Sequence, residues 1–131
     1  MFVTNKQMDK GYLSVILGCM FSGKTSKLIS IYKHNKLAEI STCVVNYIDD
    51  TRYDKKLMST HDGVKIECKR VRKIYDIFND DPDILKSVKC FIINEGQFFD
   101  DLYDVVNLLV NQHNKIVYVG GLDGDFNMKK F

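Results

Sequence analysis

The residues best suited to chemistry form one short motif near the amino terminus. Residues 18–25 read G-C-M-F-S-G-K-T and match the pattern G-x-x-x-x-G-K-[S/T] at every fixed position. Gly18 and Gly23 allow the backbone to fold into a nest of N–H groups around phosphate oxygens, while Lys24 supplies a positive charge and Thr25 offers a hydroxyl to Mg²⁺. A glycine-rich turn with an exposed lysine is the alternative. The motif predicts a binding site for a nucleoside triphosphate.

The elements around this motif favour the nucleotide site over the simple turn. An apolar run at 12–17, typical of a strand, ends at Gly18, and a segment of helical character begins at Lys24. Further strands are predicted at 41–47, 64–69, 90–94 and 116–119, and helices at 71–78, from Pro82 after a cap at Asp81, and at 99–112. This alternation predicts an α/β fold, a mostly parallel sheet flanked by helices on both faces, with ligands at the carboxyl ends of the strands.

An acidic residue follows the predicted strand at 90–94. Glu95 would lie at the same edge of the sheet at which the phosphate loop emerges. A carboxylate there can accept the proton of an attacking hydroxyl, which is one of the few tasks that phosphoryl transfer leaves to a side chain. An arbitrary glutamate after a strand is more often a solvated loop residue, so its position alone leaves both interpretations open.

The composition describes one ordinary globular domain. The 131 residues are 45% hydrophobic and 27% charged, and the formal net charge of +2 is spread along the chain, which argues against a nucleic-acid surface. The four cysteines are isolated and form no C-x-x-C pair, so we expect reduced thiols and no zinc site in this chain. No apolar run reaches membrane-spanning length and no secretory signal is evident, which predicts a cytoplasmic protein with no membrane partner.

Five segments, taken in order, resemble the thymidine kinases of the cytosolic and poxviral type. They are M-F-S-G-K-T at 20–25, D-T-R-Y at 50–53, T-H-D at 60–62, E-G-Q-F-F at 95–99 and L-D-G-D-F at 122–126. The resemblance extends from residue 12 to residue 131 and implies a P-loop NTPase fold of the RecA-like kind. It also implies transfer of the γ-phosphate of ATP, with Mg²⁺, to the 5′-hydroxyl of thymidine or deoxyuridine, giving dTMP.

The resemblance assigns roles to individual residues. Glu95 is implied to be the catalytic base, Met20, Leu122 and Phe126 to contact the nucleoside, and Thr25, Asp50 and Asn94 to support Mg²⁺, the last two through water. The residues implied to bind ATP are Gly18, Cys19, Met20, Phe21, Ser22, Gly23, Lys24, Thr25, Asp50, Thr51, Arg52, Asn94 and Gln97.

The sequence departs from the family pattern at Asn94, where the family usually has an aspartate. An amide oxygen still accepts a hydrogen bond from metal-bound water, but a neutral bond is about half as strong as a charge-assisted one. We therefore expect weakened metal support and a functioning site.

The chain also ends where family members continue into a smaller zinc-binding domain. We expect residues 1–131 to be one P-loop nucleotide-binding kinase domain, truncated at its carboxyl terminus, with zinc confined to the missing part. The family further implies a homo-oligomer, commonly a tetramer.

Two other functions stay open. An ATP-binding fragment or remnant without transfer activity would keep the phosphate loop but lack acceptor recognition, and Asn94 favours it. A generic P-loop ATPase would need a nucleic-acid surface and an arginine from a neighbour, and the dispersed charge argues against it.

Overall fold

Strands and helices alternate along the chain in the computed structural model, which describes residues 2–7, 11–18, 24–48, 57–59 and 65–122. In chain order the strands are β1 (Phe2–Gln7), β2 (Tyr12–Gly18), β3 (Thr42–Tyr47), β4 (Leu57–Ser59), β5 (Lys65–Glu67), β6 (Lys69–Val71), β7 (Cys90–Ile93) and β8 (Ile116–Leu122). The helices are α1 (Lys24–Leu37), α2 (Tyr75–Asp80), α3 (Ile84–Ser87) and α4 (Leu102–Asn107), with a 3₁₀ turn at Gly96–Phe98 and a π-helical turn at Leu108–Gln112.

Within the described residues, one sheet has the strand order β1-β2-β8-β7-β3-β6. The five strands from β2 to β6 in this order are mutually parallel, and β1 pairs antiparallel with β2 at one edge. The predicted α/β fold with a mostly parallel sheet is therefore confirmed. Strand β1 was not predicted, because its mixed sequence FVTNKQ carries a weak strand pattern.

Helices cover both faces of the sheet. Alternate residues of each buried strand point to opposite faces, so each strand contributes apolar side chains to both helical layers. On one face, Phe91 and Ile93 of β7 pack with residues of α2, α3 and α4. On the other face, Cys90 and Ile92 pack with Leu28 and Ile29 of α1. The apolar side chains predicted to lie on one face of the last helical segment, Leu102, Val105, Val106 and Leu109, are all buried in the first of these layers.

The start of α2 differs from the prediction, which placed a helix at 71–78. Val71 is the last residue of β6, and the helix begins only at Tyr75. The carboxylate of Asp101 accepts hydrogen bonds from the backbone N–H groups of Ile74 at 3.2 Å and Tyr75 at 3.0 Å. These N–H groups lack partners within a helix, so a distant acceptor determines where the helix begins.

Other predicted boundaries were also wrong, including that of the helix predicted at 99–112, which begins at Leu102 and ends in the π-helical turn at Leu108–Gln112. The strand predicted at 64–69 is two short strands separated by buried Cys68, because β5 pairs with β4 in a separate antiparallel sheet whereas β6 joins the edge of the main sheet beside β3. The helix predicted to begin at Pro82 begins at Ile84, since the backbone carbonyl of Asp81 accepts from the Ile84 N–H and closes a turn first.

The three described cysteines form no disulfide with one another. Cys43, Cys68 and Cys90 are all buried, and Cys19 lies outside the described residues. Burial raises the pKa of Cys43 to about 11 and that of Cys90 to about 12, because a thiolate is poorly stabilised away from water.

None of the helices in the described part of the chain is long and apolar enough to cross a membrane.

Candidate active site

The parallel strands end together at one edge of the sheet, which we call the carboxyl edge. Gly18 of β2 pairs with Leu122 of β8, and Ile93 at the end of β7 pairs with Val119 of β8 and with Val45 of β3. The segments that follow these strands therefore emerge at neighbouring points. In parallel α/β sheets this is the edge at which ligands bind.

The two ends of the phosphate motif lie among the described residues. Gly18 is the last residue of β2 and Lys24 is the first residue of α1, so a strand precedes the motif and a helix follows it, as predicted. The first turn of α1 contains no acidic side chain, so the positive end of the helix is not neutralised there. Backbone N–H groups at such a helix start are suited to phosphate oxygens.

Asn94 follows directly after β7 and is fully buried. Its backbone N–H donates to the carbonyl of Val45 at 2.9 Å, which extends the pairing with β3 by one residue. Its side-chain Nδ2 lies 3.4 Å from Oδ1 of Asn46. Its Oδ1 has no hydrogen-bond partner among the residues that the structure describes. A buried hydrogen-bond acceptor without a donor destabilises the folded state by about 1–3 kcal/mol, so a ligand or water that donates a hydrogen bond to it would be favoured at this position.

Glu95 occupies the sharp turn that follows. Its backbone is left-handed, with φ 57° and ψ 46°, and the side chain has only 5% of its surface exposed. One carboxylate oxygen, Oε2, accepts a hydrogen bond from Nε2 of Gln97 at 2.8 Å. A left-handed conformation at a residue other than glycine is uncommon and is found where surrounding structure enforces it, often at functional sites.

Gly96 explains how this turn fits against the sheet. A Cβ atom at this position would lie 2.7 Å from Cγ1 of Val119 and 3.3 Å from Cδ2 of Leu102. Only a residue without a side chain therefore allows the turn to pack closely on β8. This contact fixes the position of Glu95, the preceding residue, at the carboxyl edge.

Gln97 serves as a hydrogen-bond donor to Glu95 in this structure. Its Oε1 atom is buried and has no hydrogen-bond partner within the described part of the chain. The carboxyl edge thus contains two buried side-chain oxygens without described partners, one from Asn94 and one from Gln97. Both residues were predicted to bind ATP, and both lie within two positions of Glu95 in the sequence.

Aromatic side chains border the site on the side of β3. The ring of Tyr47 lies 5.5 Å from that of Phe98 and 5.3 Å from that of Phe99, measured between ring centroids. Phe99 is buried, whereas Phe98 is 49% exposed. The second and third rings belong to the E-G-Q-F-F segment, so this segment contributes both the acid and part of an aromatic wall.

Sequence reasoning missed Asn46. The signal that could have revealed it is a polar residue near the carboxyl end of a strand that is otherwise apolar, TCVVNY. Such a residue is buried with a side-chain amide that needs a partner. The partner, Asn94, is identified only by the register between β3 and β7.

Several predicted site residues lie outside the described residues. They are Cys19, Met20, Phe21, Ser22, Gly23, Asp50, Thr51, Arg52 and Phe126. For Lys24, Thr25 and Leu122 the structure describes the backbone only, at the start of α1 and the end of β8. The predicted roles of all of these residues stay predictions.

The carboxyl edge offers a buried oxygen acceptor that suits Mg²⁺-bound water. The described residues contain no cluster of three or more His, Cys, Asp or Glu side chains that could hold a metal ion. Mg²⁺ in nucleotide sites usually keeps several waters and takes few protein ligands, so such a cluster is not required. The buried, unpartnered Oδ1 of Asn94 is an oxygen acceptor of the type that metal-bound water needs, and in this respect the residues fit the ion.

The fold and the edge together define an α/β protein with a ligand site at the carboxyl ends of parallel strands. A family model described as "Thymidine kinase" matches residues 11–131. The chain therefore belongs to the thymidine kinase family.

Individual relatives agree with this assignment. The chain is 36% identical over 124 residues to the thymidine kinase of sheeppox virus, covering 95% of this chain and 67% of the relative. It is 35% identical over 127 residues to that of vaccinia virus, again covering 95% and 67%. It is 36% identical over 122 residues to the cytosolic thymidine kinase of Bos taurus, covering 93% of this chain but 49% of that protein.

Proposed function

We propose that the chain transfers the γ-phosphate of ATP to the 5′-hydroxyl of thymidine or deoxyuridine. The proposal rests on membership of the thymidine kinase family and on the position of one carboxylate. Glu95 lies at the end of the central strand β7, with β8 between it and the end of β2, where the phosphate motif begins. This arrangement supports a nucleotide on one side and an acceptor hydroxyl on the other.

Glu95 is the proposed general base. Phosphoryl transfer depends mainly on positioning and on stabilising charge, and the protein group that orients or deprotonates the acceptor hydroxyl must be held in one place. The hydrogen bond from Gln97 and the close packing of Gly96 on Val119 hold this carboxylate. They support a role for Glu95 that a freely solvated loop acid could not fill.

The motif at 18–25 is proposed to bind the phosphates of ATP, with the N-terminus of α1 facing them. Thr25, Asp50 and Asn94 are proposed to support Mg²⁺, which when bound offsets the negative charge of the phosphates. Met20, Leu122 and Phe126 are proposed to contact the nucleoside. We further propose that this single nucleotide-binding domain acts in the cytoplasm, as the name of the bovine relative suggests for that protein.

A second candidate function is ATP binding without transfer. The observation that favours it is the neutral amide of Asn94, where the family resemblance leads us to expect an aspartate. A neutral acceptor supports metal-bound water less strongly than a carboxylate does. Such a protein would bind ATP but leave thymidine unchanged.

The test is transfer of labelled γ-phosphate from Mg-ATP to thymidine, with deoxycytidine as the control acceptor, by the parent chain and by Glu95→Gln. Glutamine keeps the size of the side chain and an oxygen that can accept from Gln97, but it cannot take a proton. We expect thymidine-dependent product from the parent and a decrease of about 10²–10⁴-fold in the variant, with ATP affinity retained. ATP binding without any transfer by the parent would instead establish the second candidate.

A further inference from the structure

The carboxyl edge contains a buried amide with no role so far in the proposed reaction. Asn46 is the penultimate residue of β3 and is fully buried. It lies beside Asn94, because Val45 pairs with Ile93 in the parallel register and the next residue of each strand continues that pairing. The two amides thus form a pair inside the protein at the point where the sheet ends.

The backbone determines the orientation of the Asn46 amide. The N–H of Tyr47 donates to Oδ1 of Asn46 at 3.0 Å. If this amide were rotated by 180°, its NH₂ group would face the Tyr47 N–H, and two donors would meet without an acceptor. Oδ1 of Asn46 is therefore held in place by its own chain.

This orientation in turn determines that of Asn94. Nδ2 of Asn94 donates to the same Oδ1 of Asn46 at 3.4 Å. A rotated Asn94 would bring two carbonyl oxygens together, which is unfavourable. Oδ1 of Asn94 is consequently turned away from Asn46, and it is the atom left buried without a partner in the described part of the chain.

We propose that Asn46 is a positioning residue that holds Asn94 with its oxygen, and not its NH₂ group, available to Mg²⁺-bound water. This inference rests on the proposed function. The orientation matters because position 94 is an amide. A carboxylate would offer an oxygen in either orientation, whereas an amide rotated by 180° would present a donor, which cannot accept a hydrogen bond from water. A neutral residue at position 94 therefore needs a neighbour that selects its orientation.

Two substitutions of Asn46 separate this role from simple packing. Asn46→Asp keeps an oxygen that can accept from Tyr47 and from Asn94, and it replaces Nδ2, which has no hydrogen-bond partner among the described residues, with a second carboxylate oxygen. Asn46→Leu is similar in size but has no acceptor. Both variants are compared with the parent chain by thermal unfolding, to establish that each is folded.

The decisive measurement is ATP affinity by calorimetry, with excess Mg²⁺ and with EDTA, in the absence of thymidine. We expect the gain in affinity that Mg²⁺ gives the parent to fall about 10-fold or more in Asn46→Leu, the size of effect found when a group orienting a metal ligand is removed. Affinity in EDTA should be unchanged, and Asn46→Asp should keep the parental gain.

If Mg²⁺ raised the ATP affinity of Asn46→Leu as much as it raises that of the parent, the inference would be overturned. An equal loss in both variants would also overturn it, because the effect would then follow from any change at this buried position. If Asn46→Leu does not fold, Asn46→Asp still tests the inference. Loss of the Mg²⁺-dependent gain in ATP affinity in Asn46→Asp would contradict the positioning role of Asn46, whereas retention of that gain would support it. Thymidine transfer by the parent is judged separately, so failure of the proposed kinase activity is distinguishable from failure of this inference.

Discussion

Two consecutive segments, the central strand and its continuation, are both largely hidden from water and differ in almost every other respect. Residues 90–93 form β7, are fully buried, and pair with β3 on one side and β8 on the other. Residues 94–97 are also largely buried, yet they include an amide, a carboxylate in a left-handed turn, and two side-chain oxygens without described partners. Burial alone therefore does not identify a site, whereas buried polar atoms without partners do.

The difference has a physical meaning for the two segments. The first has its backbone bonds satisfied and its side chains packed, so it contributes to the stability of the domain. The second retains polar groups that a well-packed core would exclude, which reduces stability and leaves acceptors for a ligand. Substitutions in the first segment should therefore lower the free energy of unfolding, whereas substitutions that remove polar groups of the second segment should mainly affect nucleotide chemistry.

The largest effect on stability is expected from Phe91→Ala in the first segment. Phe91 is fully buried and its ring lies 6.0 Å from that of Phe78 in an edge-to-face arrangement. Truncating a buried phenylalanine to alanine typically lowers the free energy of unfolding by about 3–5 kcal/mol, a large share of the total for a domain of this size. Denaturant unfolding followed by circular dichroism measures the change.

Phe98 provides a control of the same residue type outside the core. It is 49% exposed and contacts the ring of Tyr47. Phe98→Ala should therefore lower the free energy of unfolding by no more than about 1 kcal/mol. If the two alanine variants lost equal stability, the contrast between the strand interior and the edge would not hold.

Gly96→Ala should have the next largest effect, and it should affect both properties. The added Cβ would lie 2.7 Å from Cγ1 of Val119, a fully buried residue of β8 that has little room to move. Overpacking of this kind lowers the free energy of unfolding by about 1–3 kcal/mol. Because the clash displaces the turn that carries Glu95, thymidine transfer should also decrease by more than the loss of folded protein explains.

A second substitution tests whether that clash is the cause. Val119→Ala removes the methyl groups that the new Cβ would meet. The double variant should recover part of the stability and activity lost by Gly96→Ala, which is a coupling between residues in contact. Independent, additive losses would show that the turn is not held by its contact with β8.

The strands of the interior could be predicted from the sequence because their pattern is local. The β-branched and apolar residues of β2, β3, β7 and β8 indicate buried strands wherever they fold. The start of α2 could not be predicted in this way, since it depends on Asp101, a residue from a different part of the chain that accepts from its first N–H groups. Boundaries set by distant contacts carry no local signal.

The site was predictable to a similar, partial extent. The phosphate motif and the position of Glu95 after a buried strand follow from sequence order, and the structure brings Gly18, Asn94 and Glu95 to one edge. The left-handed turn at Glu95 and the pairing of Asn46 with Asn94 depend on register and packing across the sheet. The predicted roles of Asp50, Arg52 and Phe126 came from family resemblance and lie outside the described residues.

Asn94→Ala sharpens the comparison by testing a residue that is as buried as Phe91. The substitution removes one long hydrogen bond to Asn46 together with an acceptor that has no described partner. These two effects oppose each other, so the free energy of unfolding should change by no more than about 1 kcal/mol. The gain in ATP affinity from Mg²⁺, measured by calorimetry, should nevertheless decrease. A loss of stability as large as that of Phe91→Ala would place Asn94 in the structural core.

The smallest effect at neutral pH is expected from Cys90, the thiol inside the first segment. Burial raises its pKa to about 12 from an ordinary value near 9.0, so the folded state disfavours the thiolate. A pKa raised on folding leaves stability intact below pH 9 and reduces it as the pH rises toward the folded value. At pH 10 the loss from this thiol should be about 1 kcal/mol, and it should be absent at pH 7.

Comparing the parent with Cys90→Ala isolates this contribution from the other groups that titrate at high pH. The free energy of unfolding of the parent should fall more steeply between pH 9 and pH 10 than that of the variant. At pH 8, the thiol of folded parent protein should react with dithionitrobenzoate only as fast as the protein opens, because its thiolate is both rare and enclosed. Rapid reaction at that pH would show that the strand interior opens readily, and the distinction between the two segments would then be one of degree.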